Sequence, residues 1–379
     1  MALRLTLVIP SLADGGAERV MAMMANHWAD EANHVTLITL DSQQNDSYRL
    51  ADEINRVGLG LMRESRNLVQ ALCCNVERLR QLRRAIRDSN PDKVVSFIDK
   101  TNVMTLLACL GLRVDVVIAE RIDTRHHQIG RIWSTLRRLV YARCFALVVQ
   151  TESVRESLRS CVGRRPIYVI PNAVEKPDKL AESLDQPHRE GHCVLAMGRL
   201  VPQKGFDLLI DAFARIAAKH TDWTLHILGQ GPQRAELERF IRAQNLQSRV
   251  RLHGWVSEPG TLLRPAELFV LSSLYEGFPN ALLEAMACRL AVISFDCESG
   301  PAEIIRHEID GLLVPAGNVA ELSQAMDRLM SDETERQRLG SRAQEVTERF
   351  SVDLFFRRWH LVLHGADENE FPEHVEQSG

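Results

Sequence analysis

The chain has 379 residues, of which 45% are hydrophobic, 25% charged and 6% aromatic, enough for two ordinary domains and too apolar for a disordered chain. Its eight cysteines form no C-x-x-C pair and mostly lie in apolar segments, which excludes a disulfide mini-protein and favours buried, reduced thiols. Residues 1–170 carry 24 Lys and Arg against 18 Asp and Glu, and residues 171–379 carry 22 against 32; the basic half is expected to face an anionic partner, while a pI near 6.4 speaks against a general nucleic-acid binder.

No apolar run reaches the roughly 18 residues of a spanning helix. The run at 3–10 ends at Pro10 and is unlike a cleaved signal peptide. A cytoplasmic protein with only peripheral membrane contact is the expectation. Short β-branched runs at 5–9, 35–40, 94–98, 116–119 and 146–149 alternate with segments of helical spacing, the βαβ pattern of a parallel sheet covered on both faces. The alternation stops at 171–190, where Pro171, Pro177 and Pro187 punctuate a polar stretch. It resumes with strands at 194–197, 225–228, 250–252, 268–271, 292–294 and 311–314.

The pattern predicts an α/β protein with two Rossmann-like domains, 1–170 and 191–350, joined by a linker at 171–190 and facing one another across a cleft. Residues 366–379 hold five acids and no Lys or Arg, and read as a solvated acidic tail. Ligands of such sheets lie beyond the carboxyl ends of the strands, so the segments following strands carry the functional reading.

After the first strand, Gly15 and Gly16 precede an apolar helix; small residues and the N–H groups of a helix start suit a phosphate, although the pair alone is also an ordinary strand-to-helix turn. No G-x-G-x-x-G follows, which counts against a nicotinamide oxidoreductase. In the second half, Arg199 and Lys204 stand five residues apart on a loop bounded by Gly198 and Gly205, where a planar fork and a point charge could clamp a diphosphate. The third segment runs from Glu276 through Gly277, Phe278, Pro279, Asn280, Ala281 and Leu282 to Glu284, with Asn280 expected to cap a helix that begins at Ala281. This arrangement places one carboxylate before a helix start and the other about one turn inside. No Asp-x-Asp triplet is present, and no metal site is expected.

On the acceptor side, 75–88 places Arg80, Arg83, Arg84 and Arg87 along one helical face beside Leu79, Leu82 and Ile86. A second basic segment holds Arg131, Arg137, Arg138 and Arg143 around Trp133, Leu136 and Tyr141. Such helices can lie on an anionic bilayer or hold a lipid diphosphate, or be plain solvated surface.

Together, the Gly15–Arg19 turn, the 198–206 loop and the 276–286 segment resemble the retaining glycosyltransferases of family 4, with the two-domain GT-B fold, over nearly the whole chain. Segments 96–102 and 119–123 are further similar to the branch that elongates bacterial lipid-linked oligosaccharides with N-acetylgalactosamine or hexose. The resemblance implies a nucleotide-sugar donor, by family habit UDP-linked, a glycan acceptor, and no cofactor or metal. It implies that Arg199 and Lys204 bind the diphosphate and steady the leaving nucleotide, with the Gly16 backbone nearby. Glu276, the first Glu of the family's E-x7-E motif, would contact the donor sugar and Glu284 the ribose, with residues 277–282 shaping the sugar and phosphate site. Gly229 and Trp255 fall where the family places the nucleoside. Where many members carry a His, this sequence has Arg121, leaving Arg121 and Asp123, with His126 and His127 nearby, as acceptor-side candidates. The resemblance also implies a C-terminal helix, within 351–365, returning to the first domain. A family member with a soluble acceptor and a non-catalytic relative are the alternatives.

Overall fold

A computed structural model describes residues 2–13, 15–62, 67–122, 125, 129–177, 191–256 and 258–366. Asp123, His126 and His127, most of the expected linker and all but the first residue of the acidic tail lie outside the described residues. The chain divides into two compact units, one of Met1–Ile170 with the segment that begins at Arg357, the other of Pro171–Phe356.

Among its described residues the first unit is built on seven strands: β1 (Arg4–Ile9), β2 (His34–Thr39), β3 (Asn55–Gly58), β4 (Lys93–Phe97), β5 (Asp115–Ala119), β6 (Ala146–Val149) and β7 (Ile167–Val169). They pair in the order β3-β2-β1-β4-β5-β6-β7, every pairing parallel. Its helices are α1 (Gly16–Asp30), α2 (Leu68–Asp88), α3 (Asp99–Ala108), α4 (Arg131–Val140) and α5 (Glu152–Val162). Strand interiors such as Leu7, Val8, Val94, Val95, Val117 and Ile118 are fully buried, as a sheet covered on both faces requires. β3 and β7 escape the sequence reading because one has a single β-branched residue among polar neighbours and the other is three residues long. α2 begins seven residues earlier than expected, at the Asn67 cap, whose side chain accepts from Gln70 N–H at 2.8 Å.

Among its described residues the second unit has six parallel strands: β8 (His192–Met197), β9 (Trp223–Leu228), β10 (Val250–Gly254), β11 (Leu268–Leu271), β12 (Ala291–Asp296) and β13 (Leu312–Pro315). Their order is β10-β9-β8-β11-β12-β13. Around them lie α6 (Phe206–Ile216), α7 (Arg234–Ala243), α8 (Gly260–Leu263), α9 (Asn280–Ala287), α10 (Pro301–Ile304), α11 (Val319–Ser331), α12 (Glu333–Ala343) and α13 (Val346–Arg349). The last helix, α14 (Val352–His364), begins in the second unit and continues into the first. There Trp359, fully buried, packs edge-on to Trp28 at 6.1 Å and against Phe97 at 6.2 Å.

Each sheet reverses its strand order once, between β1 and β4 in the first unit and between β8 and β11 in the second. Connections leave a sheet in opposite directions at such a point and open a crevice at the carboxyl ends of the two strands. The loops after β1, β8 and β11 are the three segments that the sequence singles out.

Candidate active site

In the second unit the loops following β8 and β11 interlock. Gln203 Nε2 donates to Tyr275 O at 2.8 Å, Leu274 N–H donates to Gln203 O at 2.8 Å, and Ser272 Oγ donates to Lys204 O at 2.8 Å. The Lys204 ammonium donates to Glu276 Oε1 at 2.5 Å, and Glu276 is buried. Two residue types far apart in the chain are thereby joined at the strand-order reversal. Arg199 is exposed and its guanidinium makes no hydrogen bond or ion pair with any described residue.

Glycines make the interlock possible. Gly205 adopts φ 57°, ψ 33°, and a Cβ there would stand 2.3 Å from Ser272 O. Gly229, at φ 137°, lets the loop after β9 lie against that after β8; a Cβ on it would stand 1.9 Å from Gly198 O. Gly229 N–H donates to Gly254 O at 2.7 Å, which brings the turn before Trp255, itself 50% exposed, to the same strand ends.

The 276–284 segment departs from expectation in two ways. α9 begins at Asn280, with Pro279 in the cap position and no side-chain cap; the Asn280 carboxamide instead accepts from Asn172 Nδ2 at 2.6 Å. Phe278 and Leu282 do not face a ligand surface: both are buried in the apolar cluster with Leu283, Met286 and Phe350, and Phe278 meets Phe350 edge-to-face at 5.5 Å. They hold the loop from beneath, and Gly277, Pro279, Asn280 and Ala281 form the helix entry above them. Ser299 Oγ fixes the Glu276 carbonyl from the other side at 2.5 Å. Glu284 stands in the second turn, half-buried.

In the first unit Gly15 is extended and caps α1, with the Tyr48 hydroxyl donating to its carbonyl at 2.9 Å and accepting from its N–H at 3.3 Å. The Glu18 carboxylate folds over Gly15, where a Cβ would meet it at 2.0 Å, so a side chain there would push the end of Glu18 aside. Of the acceptor-side candidates, Arg121 is buried, its guanidinium stacked on Phe97 at 3.9 Å and its pKa lowered to about 9 by burial. Asp123 lies outside the described residues. Arg83 donates to the carbonyls of Ala108 and Leu110 at 2.5 and 2.7 Å and closes the end of α3. Arg80, Arg84 and Arg87 remain exposed on α2. Tyr141 of the second basic segment is buried and donates to the Glu120 carboxyl; burial, with the Asp99 carboxylate nearby, raises Glu120 to about 8.

Two family profiles cover most of the chain: residues 14–176 match "Glycosyltransferase Family 4" and residues 182–346 match "Glycosyl transferases group 1". The chain belongs to these glycosyltransferases. The enzyme is 26% identical over 362 residues to GalNAc-alpha-(1->4)-GalNAc-alpha-(1->3)-diNAcBac-PP-undecaprenol alpha-1,4-N-acetyl-D-galactosaminyltransferase of Campylobacter jejuni, covering 95% of this chain and 98% of that one. It is 37% identical over 221 residues to an exopolysaccharide phosphotransferase of Streptomyces coelicolor; that match takes in 58% of this chain but spans only 23% of the longer protein. Among solved structures, HepE of Anabaena in complex with UDP superimposes with a TM-score of 0.75 at 18% identity, over 96% of this chain and all of that one. The fold of the glycosyltransferase is therefore GT-B, two Rossmann-like α/β domains.

Sequence reasoning missed Ser272, Gln203, Ser299 and Asn172, the polar residues that fix the loops. Small polar residues scattered over more than a hundred positions carry no pattern of their own. Among the described residues no group of three or more His, Cys, Asp and Glu is placed to hold a metal ion, and no helix is long and apolar enough to cross a membrane.

Proposed function

We propose that this glycosyltransferase moves a hexose or N-acetylhexosamine from a UDP-linked donor to a growing glycan carried on polyprenyl diphosphate, with retention at the anomeric carbon and without a metal ion. The observation that carries the reading is the interlocked pair of loops at the β8/β11 reversal, which gathers Arg199, Lys204, Glu276 and the uncapped start of α9. Transfer breaks the bond between the sugar C1 and the diphosphate oxygen, forms a bond from C1 to an acceptor hydroxyl oxygen, and releases the acceptor proton and UDP. Negative charge grows on the diphosphate as that bond breaks. Arg199, Lys204 and the first N–H groups of α9 would stabilise it, and fixed donors aimed at developing charge are the largest catalytic term available here. Glu276 would then turn from Lys204 to the donor sugar, and Glu284 would hold the ribose, with Gly229 and Trp255 beside the nucleoside.

Support for UDP comes from the UDP complex of HepE, and for a lipid-linked acceptor in polysaccharide assembly from the undecaprenol-linked substrate in the Campylobacter relative's name. The first unit carries features suited to such an acceptor: Arg80, Arg84 and Arg87 are exposed on α2, and α4 presents Ile132 and Leu139 at 73% and 64% exposure beside Arg131 and Arg138. We place this face peripherally on an anionic, cytoplasmic membrane surface.

The reading is tested by thermal stabilisation with UDP, GDP, UDP-sugars and NAD, with and without EDTA. A chelator-resistant shift with UDP and one UDP-sugar is expected, followed by labelled-sugar transfer to a lipid-linked glycan and an α product by NMR. No shift with any nucleotide would favour a non-catalytic relative, and transfer only to soluble sugars would overturn the lipid acceptor.

A further inference from the structure

The part of α14 that belongs to the first unit starts at Arg357 and reads Arg-Arg-Trp-His-Leu-Val-Leu-His to His364. Arg358, Trp359, Val362 and Leu363 are buried, and Trp359 is packed on Trp28 and Phe97. With that face fixed inward, the helical period turns His360 and His364 outward together, about one turn apart, and both are exposed. Their separation is H-x-x-x-H, at which two imidazoles on one helix face can hold one ion. The donor-site reading uses neither residue.

The two rings already face each other, with centroids 4.0 Å apart and planes at 28°. Two nitrogens that share an ion at about 2.0–2.1 Å stand roughly 3 Å apart, so closing on an ion asks for a small tilt of the rings and no change of backbone. His364 Nδ1 lies 2.8 Å from the His360 carbonyl oxygen. A carbonyl only accepts, so Nδ1 carries the proton, and in the neutral ring the lone pair is left on Nε2. Metal-ligating histidines are commonly oriented by such a bond from the other ring nitrogen. The His360 ring makes no hydrogen bond or ion pair with any described residue. The helix also ends here, at Gly365 with φ 71°, and the carbonyl end of a helix dipole favours a cation.

We propose that His360 and His364 form a binding site for one divalent transition-metal ion of the class that takes imidazole ligands, such as Zn²⁺, Ni²⁺ or Cu²⁺. No third His, Cys, Asp or Glu among the described residues joins the pair, so water completes the coordination. The ion clips the last turn of α14, next to the bond from the Tyr168 hydroxyl to Ala366 O at 2.7 Å. Its role is structural, and the donor reaction proceeds without it.

The test titrates the untagged full chain with Ni²⁺, Zn²⁺, Cu²⁺ and Mg²⁺ by calorimetry. One Ni²⁺ is expected at this pair, with Cu²⁺ binding more tightly than Ni²⁺ or Zn²⁺, and no binding of Mg²⁺, which takes oxygen ligands. The chain holds 13 histidines, so the variants carry the decision. H360A and H364A should each weaken Ni²⁺ binding by at least the roughly 10- to 100-fold that a change outside the ligand shell already costs. Both residues are exposed, and melting without metal should be unchanged in the variants. Saturating Ni²⁺ should raise the wild-type melting temperature by about 3 °C or more, reversibly with EDTA, and should do neither in the variants. Ni²⁺ binding equal in wild type and both variants, or Mg²⁺ binding as tightly as Ni²⁺, would overturn the site. Loss of binding in only one of the two variants would also overturn it, because a single histidine makes no chelate.

Discussion

The Lys204 ammonium stands 2.5 Å from Glu276 Oε1, with the two side chains 16% and 8% exposed. The pair joins the loop after β8 to the loop after β11 and sets the donor-side charges against each other. Arg199, exposed on the same loop, has no such partner among the described residues.

That difference separates two substitutions of similar chemistry. K204A and R199A are each expected to lower turnover about 100-fold or more by removing charge from the leaving diphosphate. K204A alone should also destabilise the fold, by about 3 kcal/mol, because it leaves the Glu276 carboxylate buried and unpaired. Steady-state kinetics and calorimetric melting of both variants decide this, and unchanged turnover in both would remove the clamp.

E284A is expected to act mainly on binding. Loss of a charge-assisted hydrogen bond to the ribose should weaken UDP by about tenfold to a hundredfold while kcat changes little. Titration calorimetry with UDP reads the first quantity directly.

Glu120 gives the first unit a pH signature. Burial raises its pKa from 4.5 to about 8, with the Asp99 carboxylate adding to the shift and Tyr141 opposing it. The native state thus keeps a proton that the unfolded chain loses above about 4.5. The associated stability is fully present below that value and is lost as pH rises through about 8, amounting to roughly 5 kcal/mol over the window. E120Q should flatten the melting temperature between pH 5 and 8 and stabilise the protein most at the alkaline end. Parallel melting curves for E120Q and wild type across that range would show that Glu120 is ionised in the native state.

Gly229 is expected to tolerate no side chain. Its φ of 137° is strained for any L-residue and a Cβ would stand 1.9 Å from Gly198 O, so G229A should destabilise the second unit by about 3 kcal/mol and loosen nucleotide binding together with it. Urea unfolding with and without UDP measures both effects, and a variant as stable as wild type would mean that the two loops do not touch.

The arginines of α2 should divide by role. R80A/R84A/R87A is expected to weaken binding to anionic vesicles, in a salt-dependent way, with melting unchanged. R83A should lower the melting temperature by removing the bonds to Ala108 and Leu110 while leaving vesicle binding intact. Vesicle binding that is indifferent to salt and to the triple substitution would remove the electrostatic part of the membrane reading.

The sequence by itself determined the two parallel α/β units, because fully buried parallel strands must be written as short β-branched runs, and runs such as 94–98 and 268–271 stand out from helical spacing without any knowledge of their neighbours. It also determined that Gly15–Gly16, Arg199, Lys204 and Glu276–Glu284 follow strands, where open sheets bind ligands. Only the tertiary structure decided the rest. Strand order, which puts β8 beside β11 and not beside β10, is set by packing across the sheet rather than by local periodicity. The pairing of Lys204 with Glu276 depends on that order. The same amphipathic spacing that placed four arginines on α2 could not show that Arg83 would meet the end of α3, nor could a basic residue after β5 reveal that Arg121 would be stacked on Phe97. Likewise, Asn280 has the residue type of a cap, but its partner Asn172 lies more than a hundred positions away, and a hydrogen bond across that distance leaves no mark in one sequence. Local composition fixes what a segment can form; which groups it meets is decided when the strands take their places.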